Sequence, residues 1–517
     1  VQKLYTNVLK WTFRHPWITI SSAIIIVAVS TVLLLQRDRR MFPYADRDQF
    51  AVEIFLPPGS SLEATAEVAD SVYNILIQDE RVTFITQFIG TSSPRFQTTY
   101  APNLGGKNFA QFIVNTDSPK ATIRILDEYS SRYEDYFPNA YVKFKQLDYQ
   151  MAQVPFEVRF YGSDPNDLRM CADKLVDELN KVNGLVWVRT DSEQALAGIE
   201  VNPNTVEASR LGISRMLLQS EIAASFGGVP VTTVWEGDYG LPLVLHLNEA
   251  GHDKTFNDLG DQYVSTGIPG VKVPLRQIAE FEPTWDDGQI VRRNGVRTLT
   301  VMANIERGAS ESLAFREICK IMDEQIVPDM PESVSFEYGG MSESDGEIIP
   351  LIIRVIAVAV FLIFIFLVFS FKRVDVAAAA LISIVFCLPG TWFGLACTNT
   401  VFGLTCVLGI ISLMGIIMRN AIIMFDHAEN ARVHHQASPK EAAFDAGKRR
   451  MVPIFLTTMT TALGIIPMIL SKSALWTPMG IVIFFGSLVA LIMVVTVLPV
   501  MYWKIFSKVK TKKQATI

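Results

Sequence analysis

The chain has 517 residues, a formal net charge of −6 and an isoelectric point near 5.7, so it shows none of the basic excess that nucleic-acid binding requires. Half of its residues are hydrophobic and its mean hydropathy is +0.27, high for a water-soluble protein and low for one wholly buried in lipid. That balance fits membrane helices joined to a water-exposed part, and the length calls for several domains.

A bilayer-spanning helix needs about 20 mostly apolar residues. Six runs qualify, at roughly 17–35, 350–370, 375–396, 401–425, 453–471 and 478–503. The first is not followed by a small-residue cleavage site, so it is read as a span and not as a signal peptide. The chain opens on valine, which leads us to expect further protein before Val1. Lysine and arginine crowd the segment before Trp17, the links at 371–374 and 426–452, and the tail, whereas the link CTNT at 397–400 is uncharged and the stretch around Lys472 nearly so. If the six runs alternate, the basic links share one side, expected to be cytoplasmic, and the long hydrophilic region between the first two runs lies outside.

That region repeats a strand–helix–strand unit. QFAVEIFLP (49–57) alternates like a strand, Ser60 with Glu63 predicts a capping box, and strands VTFITQFIG and FAQFIVNT follow the helix. A second unit starts at PFEVRFYG, with Asp164 as N-cap and Pro165 at the first helical position. A third is LTVMANI, a helix over 310–325 and SVSFEYGG. Such units point to split βαβ, ferredoxin-like subdomains. Between the second and third units, TVEASRLGISRMLLQSEIAASF predicts one helix and VPVTTVWEGDYGLPLVLHL a hairpin, together an inserted subdomain. The fold class is thus an α+β membrane protein with six transmembrane helices. The boundaries are 1–36, 37–135, 136–195, the insertion 196–280, 281–345 and 346–517.

There are five cysteines and no C-x-x-C pair, which argues against a zinc or redox site. Cys171 and Cys319 fall on the two helices of the interrupted subdomain, as buried free thiols or, in an oxidising compartment, a disulfide. The pair His434 and His435 reads as a solvated face. No P-loop is present and no catalytic signature is seen, so we expect neither ATP hydrolysis nor enzymatic activity.

Chemistry concentrates in the run 401–425. Thr405, Ser412, Arg419 and Asp426 recur every seven residues, nearly two helical turns, and so form one polar stripe with Gly415 beside it. A guanidinium at mid-membrane is costly and faces protein or water. Arg419 either snorkels toward the headgroups or pairs with a carboxylate whose protonation changes. No acidic residue lies centrally in any run, so that partner is expected on another segment. Thr457, Thr458, Thr460 and Thr461 cluster in PIFLTTMTTALGIIP, as hydroxyls bonded back to their own helix or as a relay for Arg419. In the outer region Phe84, Phe88, Phe96, Phe109, Phe112 and Phe144, with Met151, are either core or an aromatic pocket for apolar ligands.

The stretches MFPYADRDQFAVEIFLPPGSSLEAT (41–65), RFQTTYAPNLGGKNFAQFIVNT (95–116), VPLRQIAEFEPTW (273–285), GIIMRNAIIMFDHA (415–428) and PIFLTTMTTALGIIP (453–467) together resemble the resistance–nodulation–division family of proton-driven exporters. The resemblance is to the C-terminal half of a hydrophobe/amphiphile efflux pump. It implies helices seven to twelve of a twelve-helix pump, two porter subdomains, and a docking insertion in the second. It also implies no cofactor beyond the proton-motive force. The implied partners are an N-terminal half carrying paired intramembrane aspartates, two further copies in a homotrimer, a periplasmic adaptor, an outer-membrane channel, the lipid of a Gram-negative inner membrane, and small amphiphilic substrates. The family's relay lysine falls on Arg419, with Asn420 next to it, and its relay threonine on Thr457; Thr458 and Asp426 join this group. Arg450 falls on a basic position at the cytoplasmic mouth. Phe84 and Phe112 match aromatic pocket positions, Phe144 approximately so, and Phe88, Phe96 and Met151 are grouped with them. Lysine-to-arginine at position 419 matters, because arginine does not give up its proton. Two neighbouring readings are a heavy-metal exporter of the same family, which would want a methionine cluster, and a protein-translocation accessory, which has a smaller outer loop.

Overall fold

The computed structural model describes residues 2–97, 99–100, 103–134, 136–149, 152–192, 196–245 and 258–507. It falls into two compact units, Val1–Asp191 with Val291–Ile517, and Ser192–Ile290.

The first unit opens with α1 (Gln2–Arg14) and the apolar α2 (Pro16–Leu35). A sheet follows, built from β1 (Gln49–Phe55), α3 (Leu62–Ile77), β2 (Val82–Ile89), β3 (Phe109–Thr116), α4 (Pro119–Tyr133) and β4 (Tyr141–Gln146). Its antiparallel order is β2-β3-β1-β4, so each helix crosses between strands that are not neighbours. Phe50, Val52, Ile54, Ala110, Phe112, Val114, Val142 and Phe144 share the face that packs on α3 and α4.

The next sheet starts with β5 (Phe156–Tyr161), α5 (Pro165–Leu179) and β6 (Leu185–Thr190). The chain then makes the second unit: β7 (Leu196–Pro203), α6 (Thr205–Arg210), α7 (Arg215–Phe226), β8 (Val229–Glu236), β9 (Tyr239–Leu245), β10 (Tyr263–Ser265), β11 (Lys272–Pro274) and β12 (Ala279–Asp286). Within it, β7 pairs with β12, and a small core forms around Leu218, Val264 and Leu275. The hairpin β8–β9 is exposed along its whole described length. The chain returns through β13 (Arg292–Arg293), β14 (Val296–Ile305), α8 (Glu311–Ile321) and β15 (Ser335–Gly340). The order β6-β14-β5-β15 repeats that of the first sheet, with the second unit spliced between its second and third long strands. Cys171 on α5 and Cys319 on α8 are both free thiols.

The chain then passes through α9 (Met341–Phe371), α10 (Val374–Leu381), α11 (Cys387–Thr398), α12 (Leu404–His434), α13 (Pro439–Leu470) and α14 (Thr477–Phe506). With α10 and α11 taken together and α2 included, six helices among the described residues are long and apolar enough to cross a membrane. The α10–α11 span carries a 3₁₀ turn at Ile382–Phe386. Pro389 has no N–H to bond the carbonyl four residues back and crowds it, which accounts for the tightened turn just before it. Small residues let these helices approach: a Cβ built on Gly390 would stand 2.5 Å from Gly486 Cα and 2.7 Å from Phe485 O.

Local expectations fail in instructive places. The cap of α3 is Ser61, whose side chain accepts from Ala64 N, while Ser60 Oγ turns back to Pro57 O, so the expected Ser60–Glu63 box is shifted out of register. A capping box does form at Ser438 and Glu441 on α13, where it was not anticipated. The helix expected over 205–226 is two helices, because Gly212 takes φ +68° and Ser214 caps a new start. The α4–β4 pair was also missed, although Ser118 as N-cap and Pro119 at the first turn carry the same signature read correctly at Asp164 and Pro165.

Candidate functional site

α12 carries the polar stripe. Its inner face (Leu413, Ile417, Asn420, Ala421, Met424) is buried against neighbouring helices. Ser412, Arg419 and Asp426 are exposed, and a Cβ on Gly415 would meet no atom within 4 Å. Thr405 is buried and leaves the stripe. A seven-residue repeat on a straight α-helix drifts about 20° per heptad, so three heptads carry Thr405 well off the face of Asp426. Arg419 and Asp426 have no hydrogen-bond or ion-pair partner among the described residues.

The next residue turns the other way. Asn420 is 2% exposed, and its Nδ2 donates to Thr458 Oγ1 at 3.3 Å, while its Oδ1 is buried without a partner. The remaining threonines bond their own helix, Thr457 to Ile454 O (3.1 Å), Thr460 to Leu456 O (2.8 Å) and Thr461 to Thr457 O (3.0 Å). The structure therefore brings Asn420 and Thr458 together and leaves Arg419 apart from both, with Thr457 half-buried on α13. Arg450, also half-buried, has its Nε without a partner. What results is a permanent cation near the middle of a membrane-length helix, on a face that no other described residue covers. The chemistry such a group offers is pairing with, and lowering the pKa of, a carboxylate brought to that face.

Strand parity divides the aromatic residues. Phe112, Val52 and Phe144 form one row across β3, β1 and β4 on the helix side, and Phe112 is fully buried there. Phe112 is core, which corrects the expectation of a pocket role for it; Phe144 is core too, though it also lines a cavity wall. Phe84, 60% exposed, and half-buried Phe88 pair with Asn115 and Gln111 and so share the opposite face. Phe96 packs on Tyr100 in a small cluster of its own, with ring centroids 4.9 Å apart. Met151 lies outside the described residues.

Of that face, Tyr141, Lys143 and Lys145 of β4 reach a cavity of about 630 Å³ that β14 and α8 also line, and Phe84 and Phe88 do not border it. The face beside this cavity is polar. Glu53 is buried, and its carboxylate accepts from Tyr100 Oη at 2.5 Å and lies 3.4 Å from Lys145 Nζ. Burial would raise its pKa, but Lys145, Lys143 and the Tyr100 bond outweigh that and hold it below the usual carboxylate range. Burial pushes the Lys143 ammonium down to about 7, against the pull of Glu53. Its charge is therefore disfavoured in the folded state. Lys143→Gln should stabilise the protein fully below about pH 7, and the gain should fade as the pH climbs toward the ordinary lysine value near 10.5. Thermal melts at pH 6 and pH 9 check the sign.

Aromatic residues that sequence reasoning missed close one side of this face. Trp187 sits at φ +51°, beside a bulge where β6 loses register with β14. Its ring stacks on Tyr141 at 3.9 Å, lies 4.9 Å from Phe55, and receives the Arg189 guanidinium at 3.2 Å. A bulky residue in the left-handed region is strained. The bulge re-aims this side chain from the edge of the second sheet onto the first. Nothing in the local sequence GLVWVRTD marks that turn.

Among the described residues, no three His, Cys, Asp or Glu side chains come together in a way that would hold a metal ion.

Six helices long and apolar enough to cross a membrane, one of them bearing an intramembrane cation, frame the comparison with known proteins. Residues 1–506 match the AcrB/AcrD/AcrF family model, so the chain belongs to that family of resistance–nodulation–division efflux transporters. Two solved structures of a heavy metal efflux pump, crystal forms II and I, each superpose with a TM-score of 0.81 at 22% identity. Each match covers 98% of this chain and 52% of the pump, so the chain spans about half the length of these structures.

Proposed function

We propose that this chain forms the C-terminal half of a proton-driven exporter. It would move small amphiphilic or hydrophobic compounds from the outer leaflet or periplasm toward the outer membrane. The observation that carries the reading is Arg419, an unpaired cation on an uncovered face of a membrane-length helix in a chain of this family. Its partner is a pair of intramembrane aspartates on an N-terminal half, which pass protons while Arg419 moves between them as a fixed positive charge. Thr457, half-buried on α13, is the proposed relay hydroxyl, and Asn420 with Thr458 join α12 to α13 behind the arginine. The two sheets of like order are the ferredoxin-like porter subdomains, and the exposed β8–β9 hairpin belongs to a docking insertion that joins a homotrimer. An adaptor and an outer-membrane channel complete the assembly, with neither nucleic acid nor cofactor.

A heavy-metal cargo is the second reading, and it stands level with the first because the matched structures are of a heavy metal efflux pump. Proteoliposomes of the intact protein, driven by a pH gradient, separate the two. Export of an amphiphilic dye with no divalent-cation flux supports the first. Cation flux alone supports the second, and neither flux contradicts both.

A further inference from the structure

α1 does not float free of the helices. Tyr5, Leu9, Thr12 and Phe13 are buried, and Tyr5 Oη donates to Val495 O (2.9 Å) and Gly447 O (3.1 Å), pinning it against α13 and α14. Phe13 stacks on Trp503 and meets Phe444 edge-on, both at 5.5 Å between centroids. A groove of about 620 Å³ opens beside this aromatic floor, lined by Lys10, Phe13, Arg14, Lys440, Glu441 and Phe444.

The charge in this groove is unbalanced in a particular way. Lys10 and Arg14 stand one helical turn apart, where like charges repel. Lys440 occupies the first turn of α13, where the helix dipole favours an anion. The single carboxylate in the lining, Glu441, is occupied by the capping box, accepting from Ser438 N (3.2 Å) and Oγ (2.8 Å). Among the described residues, none of the three cations has a carboxylate partner. Lys440 instead lies over the Trp503 ring, 5.0 Å from its centroid. An anion between the three cations would relieve the Lys10–Arg14 repulsion and suit the N-terminus of α13.

Location identifies the kind of anion. α1 runs directly into the apolar α2, and Trp11 and Trp17 are exposed at the junction, 53% and 69%, as interfacial tryptophans are. The groove therefore lies at headgroup depth at one end of the first span, with cations above and aromatic rings below. We propose that it is a binding site for the phosphate of an anionic phospholipid, held by Lys10, Arg14 and Lys440, with the lipid's apolar part against Phe13 and Phe444. A free phosphate would gain nothing from the aromatic floor. This site does not depend on what the protein exports.

Native mass spectrometry of the intact protein in detergent, titrated with phosphatidylglycerol, phosphatidylcholine or inorganic phosphate, tests it. Phosphatidylglycerol should be retained well above phosphatidylcholine. Lys10→Gln with Arg14→Gln should weaken that retention about 30-fold, at roughly a factor of five for each basic residue near a charged lipid surface. Lys440→Gln should weaken it in part, and the charge-matched pair Lys372→Gln with Lys448→Gln should leave it unchanged. Equal retention of the two lipids overturns the proposal. So does an equal loss in the charge-matched pair, which would mean diffuse attraction. Displacement of phosphatidylglycerol by inorganic phosphate would make this a free-anion site and overturn the assignment to lipid.

Discussion

Arg419→Ala is expected to reduce proton-coupled efflux to background while leaving expression, folding and assembly intact. The two halves of that expectation have separate causes. Arg419 bonds to nothing among the described residues and is exposed on α12, so its removal opens no cavity and strands no buried partner in this chain. Substitutions of that kind shift stability by no more than about 0.5 kcal/mol. The functional loss follows from losing the single cation of the stripe. Arg419→Gln, which keeps length and polarity, should be as inactive as the alanine variant. Arg419→Lys should retain most activity, since the proposed role is a fixed positive charge and lysine beside a carboxylate stays charged. Dye efflux from cells, with the variants matched for protein level, reads all three.

The second large effect separates two phenylalanines that look equivalent in the sequence. Phe112→Ala removes a fully buried ring from the core of the first sheet and should cost about 3–5 kcal/mol, lowering protein yield and the transport of every substrate together. Phe84→Ala touches a ring that is 60% exposed on the opposite face and should leave yield unchanged. If that face contacts cargo, Phe84→Ala changes the relative transport of different compounds. A uniform loss across compounds would place Phe84 with the core instead.

That contrast was legible in the sequence. In FAQFIVNT, positions 110, 112 and 114 are Ala, Phe and Val, wholly apolar, while 111 and 115 are Gln and Asn. The alternation alone puts Phe112 inward, and it was the family resemblance that drew it toward a pocket. The membrane spans were readable because long apolar runs have few alternative structures, and α9, α12 and α13 extend theirs by two turns or more into the charged flanks. The N-cap at Asp164 was readable because its side chain acts locally. Long-range features were not. The aromatic stack at Trp187 joins residues more than a hundred positions apart, Phe55 to Trp187, and depends on a bulge that no residue type announces. At Arg419 the heptad spacing gave the right face for three of its four members, and helical drift removed Thr405. Which neighbour α12 would turn toward was settled by packing: Asn420, next to the arginine, takes the inner side, where Thr458 Oγ1 accepts from its Nδ2.

The proposed coupling rests on Arg419 as the fixed positive charge on the uncovered face of α12 against which carboxylates of another segment pass protons. Proton movement itself tests it most directly: the intact protein reconstituted with a pH-sensitive dye inside the vesicles, and substrate added outside. The account predicts substrate-stimulated proton flux in the unaltered protein and in Arg419→Lys, and none in Arg419→Ala even though that variant is folded and inserted. Undiminished proton flux in folded Arg419→Ala would contradict it.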